Sequence, residues 1–324
     1  MTRFRLFAVL VALALAAATL SACGGGEEDP AEVLDSVSFE GIDSAAFDLS
    51  LQIEASGKQA ADVEVAASGQ FQRQGFDLPL LDATATVEGT AKGEKVDFEG
   101  SLTLLEDRGF VNYRGTKYEI DPNNFSFARS IFLPGSEPEG KKDSDPEIVA
   151  CKEALAGTSI SELVEKPRDE GSAEVGGEET TKISGELDLP ALADLFLDLA
   201  SDPSCRTQLE AISPLPVYEL RQLADEPSGA VQEARIEVYV GDDDIVRRLV
   251  AEFTAGRDGQ QAAVSLDLAL TEVNEEQTIE APSGGKPLLV LFGRLGINPT
   301  VFLTSGGGEV IDLLLEKITA DALP

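Results

Sequence analysis

The chain has no histidine and no tryptophan, and its one methionine is Met1. Without histidine there is no Ser-His-Asp triad, no imidazole general base and no imidazole metal ligand. Positive charge is scarce as well. Against 59 Asp and Glu there are 25 Lys and Arg, a formal net charge of −34. A surface that acidic repels nucleic acid and the anionic face of a membrane. Long apolar runs are missing beyond the first twenty residues. Leu288 to Phe292 is strongly apolar but far too short to span a bilayer. No repeat recurs at a short fixed period.

What is present begins at the N-terminus. Arg3 and Arg5 precede an apolar stretch over 6–20, broken only by Thr19. That length suits a signal-peptide core and is short for a spanning helix. Leu20-Ser21-Ala22-Cys23 follows, and then the polar, Gly-rich Gly24 to Pro30. This pattern resembles the lipobox of bacterial lipoproteins. The resemblance implies a signal peptide over 1–22 and lipidation of Cys23 by a diacylglyceryl group, with an N-acyl chain on the new terminus. Residues 23–30 would then be a lipidated flexible tether. The chain would be extracytoplasmic and anchored to the cell membrane through its acyl chains. Cys151 and Cys205 are the two cysteines that remain. In an oxidising compartment an isolated pair forms one disulfide most simply; two free thiols are the alternative. A bridge there would contribute about 4 kcal/mol on the chain-entropy account.

Past the tether, Val33, Leu34 and Val37 give a short helix over 30–37. The period then becomes two. Phe47, Leu49, Leu51 and Ile53 alternate with Asp48, Ser50, Gln52 and Glu54. The same alternation recurs around Val63 to Ala67, Ala83 to Val87 and Val96 to Leu104. It predicts antiparallel strands with one apolar and one wet face. Short strands at 110–113 and 117–120 follow, turning at Arg114-Gly115. Residues 121–179 carry Pro122, Pro134, Pro138 and Pro146 and read as a helical insertion, with short helices at 146–156 and 159–164 and a polar loop at 174–179. A strand is expected at 181–187. An amphipathic helix over 190–200, with Leu192, Leu195, Phe196 and Leu199 on one stripe, comes next. Two short helices are expected at 203–212 and 216–223. Strands resume at Ile236 to Val240, turn at Gly241-Asp242-Asp243-Asp244, and run on through Leu249 to Phe253 and Val264 to Leu270. The two strand blocks are expected to share one sheet. In the tail, Val310, Ile311, Leu314, Leu315 and Ile318 lie at helical spacing.

The lipobox, the first helix, the strand meander, the helical block and the closing strands together resemble the LppX/LprG family of bacterial lipoproteins. The texture is closest at Lys182-Ile183-Ser184-Gly185-Glu186-Leu187. It is close again at Ile236-Glu237-Val238-Tyr239-Val240-Gly241 with Leu249-Val250-Ala251-Glu252-Phe253. The resemblance spans about 31–282 and implies an α+β fold: a curved antiparallel half-barrel, similar to the LolA/LolB carriers, wrapped over helices. It also implies an acylated lipid or glycolipid held in an apolar cavity between sheet and helices. Leu51, Val65, Val87, Leu102, Val238 and Leu268 are the candidate lining, although the same stripe is what any one-sided sheet shows as core. Residues 283–324 would be a C-terminal helical extension that packs as an extra helix, covers the cavity mouth, or lies on the membrane.

Catalytic and metal motifs are wanting. The Asp242–Asp244 run lacks the ligand spacing of a calcium loop. In Gly284-Gly285-Lys286 a proline follows where a phosphate loop needs Ser or Thr. The expectation is a protein without enzymatic activity, cofactor, metal or nucleic-acid partner. The alternative is an envelope protein with a filled core that binds another protein, such as a transporter.

Overall fold

Asp29 starts the first element. Its carboxylate accepts a hydrogen bond from the Ala31 N–H at 3.0 Å, and Pro30 occupies the first turn of helix α1 (Pro30–Ser36), where its missing N–H would be unpaired anyway. The computed structural model describes residues 29–37, 41–57, 60–74, 79–91, 93–120, 125, 160–201, 231–257 and 260–296. Cys23, Cys151 and Cys205 lie outside these residues. So do the helices expected at 146–156, 203–212 and 216–223 and the apolar stripe from Val310 to Ile318.

Six strands follow α1: β1 (Ser44–Ala55), β2 (Ala61–Gln72), β3 (Leu80–Ala91), β4 (Glu94–Leu104), β5 (Gly109–Tyr113) and β6 (Thr116–Ile120). A 3-10 turn, Ile160–Leu163, leads into β7 (Val164–Val175) and β8 (Glu178–Leu187). Helix α2 (Leu189–Ser201) is capped by Asp188, which accepts from the Ala191 N–H at 2.9 Å. Then come β9 (Val231–Val240), β10 (Val246–Arg257), β11 (Gln260–Thr271), β12 (Lys286–Pro287) and helix α3 (Leu288–Leu295). Gly296, at φ 67°, ends α3 in the left-handed conformation that glycine adopts without steric penalty.

All the strands form one open sheet in the order β12-β6-β5-β4-β3-β2-β1-β11-β10-β9-β8-β7. Two antiparallel meanders, β1–β6 and β7–β11, are fused by pairing of β1 with β11 over ten residue pairs, from Ala46 with Thr271 to Ala55 with Ala262. Among the described strands β12 alone pairs in parallel, with Lys286 beside Tyr118. The two strand blocks therefore share a sheet, as the alternation predicts.

The described residues are mostly strand, in one large open sheet consistent with the expected half-barrel, with few helices among them. The sequence pattern departs from the structure at β7. Within the expected helical insertion, residues 164–175 form β7. This strand carries Pro167 and has register shifts between Glu165 and Arg168 and between Asp169 and Ser172. An edge strand with proline and bulges pairs on one side only, so it has no two-residue apolar period to read.

Packing is concentrated at the two flanks of one sheet face. On one flank α1 buries Leu34, fully excluded from solvent, against Val164, Ile183, Ile236, Val238, Val240 and Val246. At the other, α3 buries Leu291, Phe292 and Leu295 against Tyr113 and Tyr118. Smaller clusters gather around Ile42, Ala45 and Leu270, and around Leu104, Ile120 and Phe125.

Candidate apolar binding face

In an antiparallel ladder, directly opposed residues project to the same face. Val87, Val65 and Leu51 are opposed in turn, and Leu51 faces Leu266, then Ala251 and Ile236. The next row runs Ala85, Ala67, Leu49, Leu268, Leu249, Val238 and Ile183. A third contains Val96, Gly89, Val63, Ile53, Val264 and Phe253. A fourth joins Leu102, Ala83, Gly69, Phe47 and Leu270. None of these side chains is charged. Eight strands, β4 to β8 in sheet order, at the usual spacing make a face roughly 34 Å wide. The reverse face carries Asp48, Ser50, Gln52, Glu64, Thr84, Thr86, Glu237 and Asp267.

All six residues expected to line a cavity project to this apolar face, but they do not share one environment. Val238 is 1 % exposed and belongs to the core beneath α1. Leu102 packs against the cluster of Leu104, Ile120 and Phe125, and Leu268 against that of Ile42, Ala45 and Leu270. Leu51, Val65 and Val87 belong to none of these clusters and are half-buried, as are Ile53, Val63, Leu266 and Val264. The middle of the face thus retains accessible apolar surface while both flanks are packed. Ala67, Ala85, Ile53 and Leu266 complete this middle. They obey the same alternation as their neighbours, and their pairing places them on the same face.

Two glycines shape the middle. A Cβ on Gly69 would overlap the Asp82 carbonyl, and one on Gly89 the Asp62 carbonyl. Gly89 also sits at φ 145°. Backbones of β2 and β3 thus approach where a side chain would keep them apart, as happens where a strand bends sharply. Neither role is visible in the sequence, where turn glycines look the same.

Among the described residues most ion pairs lie on the polar face. Arg248 donates to both Asp267 oxygens at 2.8 and 2.6 Å. Lys182 and Arg248 flank the Tyr239 ring at 5.5 and 5.4 Å. Glu237 accepts from Lys182 at 2.8 Å and from the Tyr239 hydroxyl at 2.9 Å. Burial pushes the Glu237 carboxyl up, but these partners outweigh it and hold it below its ordinary range. Near the β9–β10 turn, Arg247 is 7 % exposed and donates to Glu178 at 2.7 Å and to Asp243 at 2.9 Å. Asp243 also accepts from the Ile245 N–H at 3.3 Å. Burial raises the Asp243 carboxyl, and the Arg247 contacts more than reverse this. The Asp242–Asp244 run is thus a hairpin turn built around a buried guanidinium.

Two cavities formed by described residues open on the polar face or at its rim. One of about 480 Å3 is bounded by Asp48, Ser50, Ser68, Thr84, Arg248 and the Val175–Gly176 turn. Another, of about 570 Å3, lies beside Glu54, Asp62, Glu233 and Gln261. Among the described residues no group of three or more Asp, Glu, His or Cys is placed to hold a metal. No described helix is long and apolar enough to cross a membrane.

Several solved structures resemble this sheet. LprF from Mycobacterium bovis is 14% identical, with 81% of this chain and 100% of that chain covered, at a TM-score of 0.39. LppX from Mycobacterium tuberculosis is 13% identical, covering 78% and 100%, at 0.31. A lipoprotein-sorting protein domain from Vibrio parahaemolyticus is 8% identical, covering 76% and 92%, at 0.16. The first two are mycobacterial lipoproteins of the LppX/LprG type that the sequence pattern resembles. No family model and no curated protein matches the chain. Likeness at these values carries no functional argument, which must come from the apolar face itself.

Proposed function

We propose that this chain is a membrane-anchored extracytoplasmic lipoprotein that binds acylated lipids or glycolipids, and passes them on, without catalysing a reaction. The observation that carries this reading is the uncharged apolar face whose middle, around Leu51, Val65 and Val87, is half-buried while its flanks are packed. Acyl chains need a water-poor apolar surface and no directional partner. Binding would be driven by area removed from water, at roughly 25 cal/mol per Å2. Headgroups would stay at the polar rim, and shape would set selectivity. The close approaches at Gly69 and Gly89 support a sheet curved as a half-barrel around that face. Cys23 would carry the anchor, and Cys151 with Cys205 a disulfide.

Native mass spectrometry with lipid extraction, on the chain from Gly24 onward purified from a bacterial host, tests the proposal. An acyl lipid at near-unit stoichiometry supports it and names the ligand class. A ligand-free mass that takes up no added lipid defeats it and favours an envelope protein with a filled core.

A further inference from the structure

Helix α3 presents apolar residues on both of its sides. Leu291, Phe292 and Leu295 face Tyr113 and Tyr118. On the opposite side Leu289 and Val290 are 50 % and 48 % exposed, the large apolar side chains most open to solvent among the described residues. Helical spacing places Leu289, Val290, Gly293 and Arg294 on that same outward side; Lys286, in β12 just before the helix, is exposed, as are Gly293 and Arg294. Along the chain, the two outward aliphatic residues therefore lie between two exposed cations.

Local composition sharpens the point. From Ala281 to Gly308 there is no Asp or Glu, although 59 of the 324 residues are acidic, and Lys286 and Arg294 are the charges in that span. The chain as a whole, at a net charge of −34, repels an anionic surface. Screening limits such repulsion to about 10 Å at moderate salt, and although Glu119 of β6 lies beside Pro287, the segment itself adds no acid. An aliphatic pair between cations is the composition of a segment lying in a membrane interface, with apolar groups at the acyl boundary and basic groups at the phosphates.

We propose that α3 is a membrane-surface contact: Leu289 and Val290 enter the interfacial layer of a phospholipid bilayer, with Lys286 and Arg294 at its phosphate level. It is separate from the acyl anchor expected at Cys23 and independent of whether the sheet carries lipid. It would hold the β6 edge of the sheet against the bilayer.

The absence of tryptophan makes the test direct. Leu289→Trp is placed in the chain from Gly24 onward, which keeps every described residue, and is titrated with 3:1 phosphatidylcholine–phosphatidylglycerol vesicles bearing brominated acyl chains. A Thr84→Trp probe on the exposed polar face is the control. The proposal expects a blue shift and quenching for Leu289→Trp and no change for Thr84→Trp. Neutralising Lys286 or Arg294 with Gln should weaken partitioning about fivefold each, and Leu289→Ser with Val290→Ser about tenfold. A Leu289→Trp emission unchanged by vesicles overturns the proposal. So does an emission already blue-shifted without vesicles, which would show that the chain's own C-terminal stretch covers the helix. Val290→Trp repeats the reading if the first probe perturbs α3.

Discussion

A single carboxylate placed at two points of the apolar face separates a lipid surface from a closed core. Val238 is 1 % exposed and packed among Leu34, Ile183, Ile236 and Val246. Val238→Asp forfeits the side chain's burial, about 1.5–3 kcal/mol, and strands a carboxyl group without a partner, a further few kcal/mol. The sum, at least about 4 kcal/mol, is a large fraction of a domain's stability of roughly 5–15 kcal/mol. Leu51 is half-buried and outside the packed clusters. An aspartate there keeps its water, so Leu51→Asp should lower stability by only about 1–2 kcal/mol in the lipid-free protein. For bound acyl chains the same charge is severe, because apolar contact is replaced by a carboxylate that must be desolvated. Lipid occupancy should fall at least tenfold, about 1.4 kcal/mol or more. Urea unfolding followed by far-ultraviolet circular dichroism gives the first quantity, since no tryptophan is available, and native mass spectrometry gives the second. If Leu51→Asp destabilises as much as Val238→Asp, the middle of the face is solid core and the lipid reading loses its site.

Other perturbations probe the scaffold. Arg247→Met removes a 7 % exposed cation from Glu178 and Asp243, whose side chains are 41 % and 47 % exposed. Because water screens both acids, the loss should be about 1–3 kcal/mol in urea unfolding rather than the larger penalty of a fully buried pair. The Asp243 carboxyl is held below its usual 3.8, so its contribution is complete above about pH 4 and fades as pH falls through the lowered value. The stability gap between wild type and Asp243→Asn should therefore shrink on acidification from pH 5 to pH 2, and a gap that widens would contradict the assignment. Gly89→Val would drive its Cβ into the Asp62 carbonyl at φ 145°. It should destabilise by about 2 kcal/mol or more, with faster amide exchange confined first to β2 and β3.

Much of the sheet was legible in the residues alone. Two-residue alternation reports the pleat of a strand, a local property, so Leu49, Leu51 and Ile53 declare one face whatever strand lies beside them. The same holds for Val63 to Ala67, Ala83 to Val87 and Val264 to Leu270, and for the helix over Leu189–Ser201 with its 3.6-residue stripe. Parity puts each of the six candidate residues on the apolar side of its own strand, and the pairing joins those sides into one face. The acid excess and the missing histidine were also final as read, because composition does not depend on folding.

Tertiary structure alone decided the rest. Pairing of β1 with β11 joins residues more than 200 positions apart, and no local pattern encodes that register. Which apolar residues are core and which stay accessible depends on where α1 and α3 land: Val238 and Leu51 alternate identically in sequence, yet one lies beneath Leu34 and the other does not. Bulges and Pro167 hid β7 by removing its period. Burial of Arg247 follows from the meeting of the β9–β10 turn, which supplies Asp243, with Glu178 of β8. Local periodicity is set by backbone geometry within a few residues. Burial and partnership are set by chain segments that meet only after the sheet has formed.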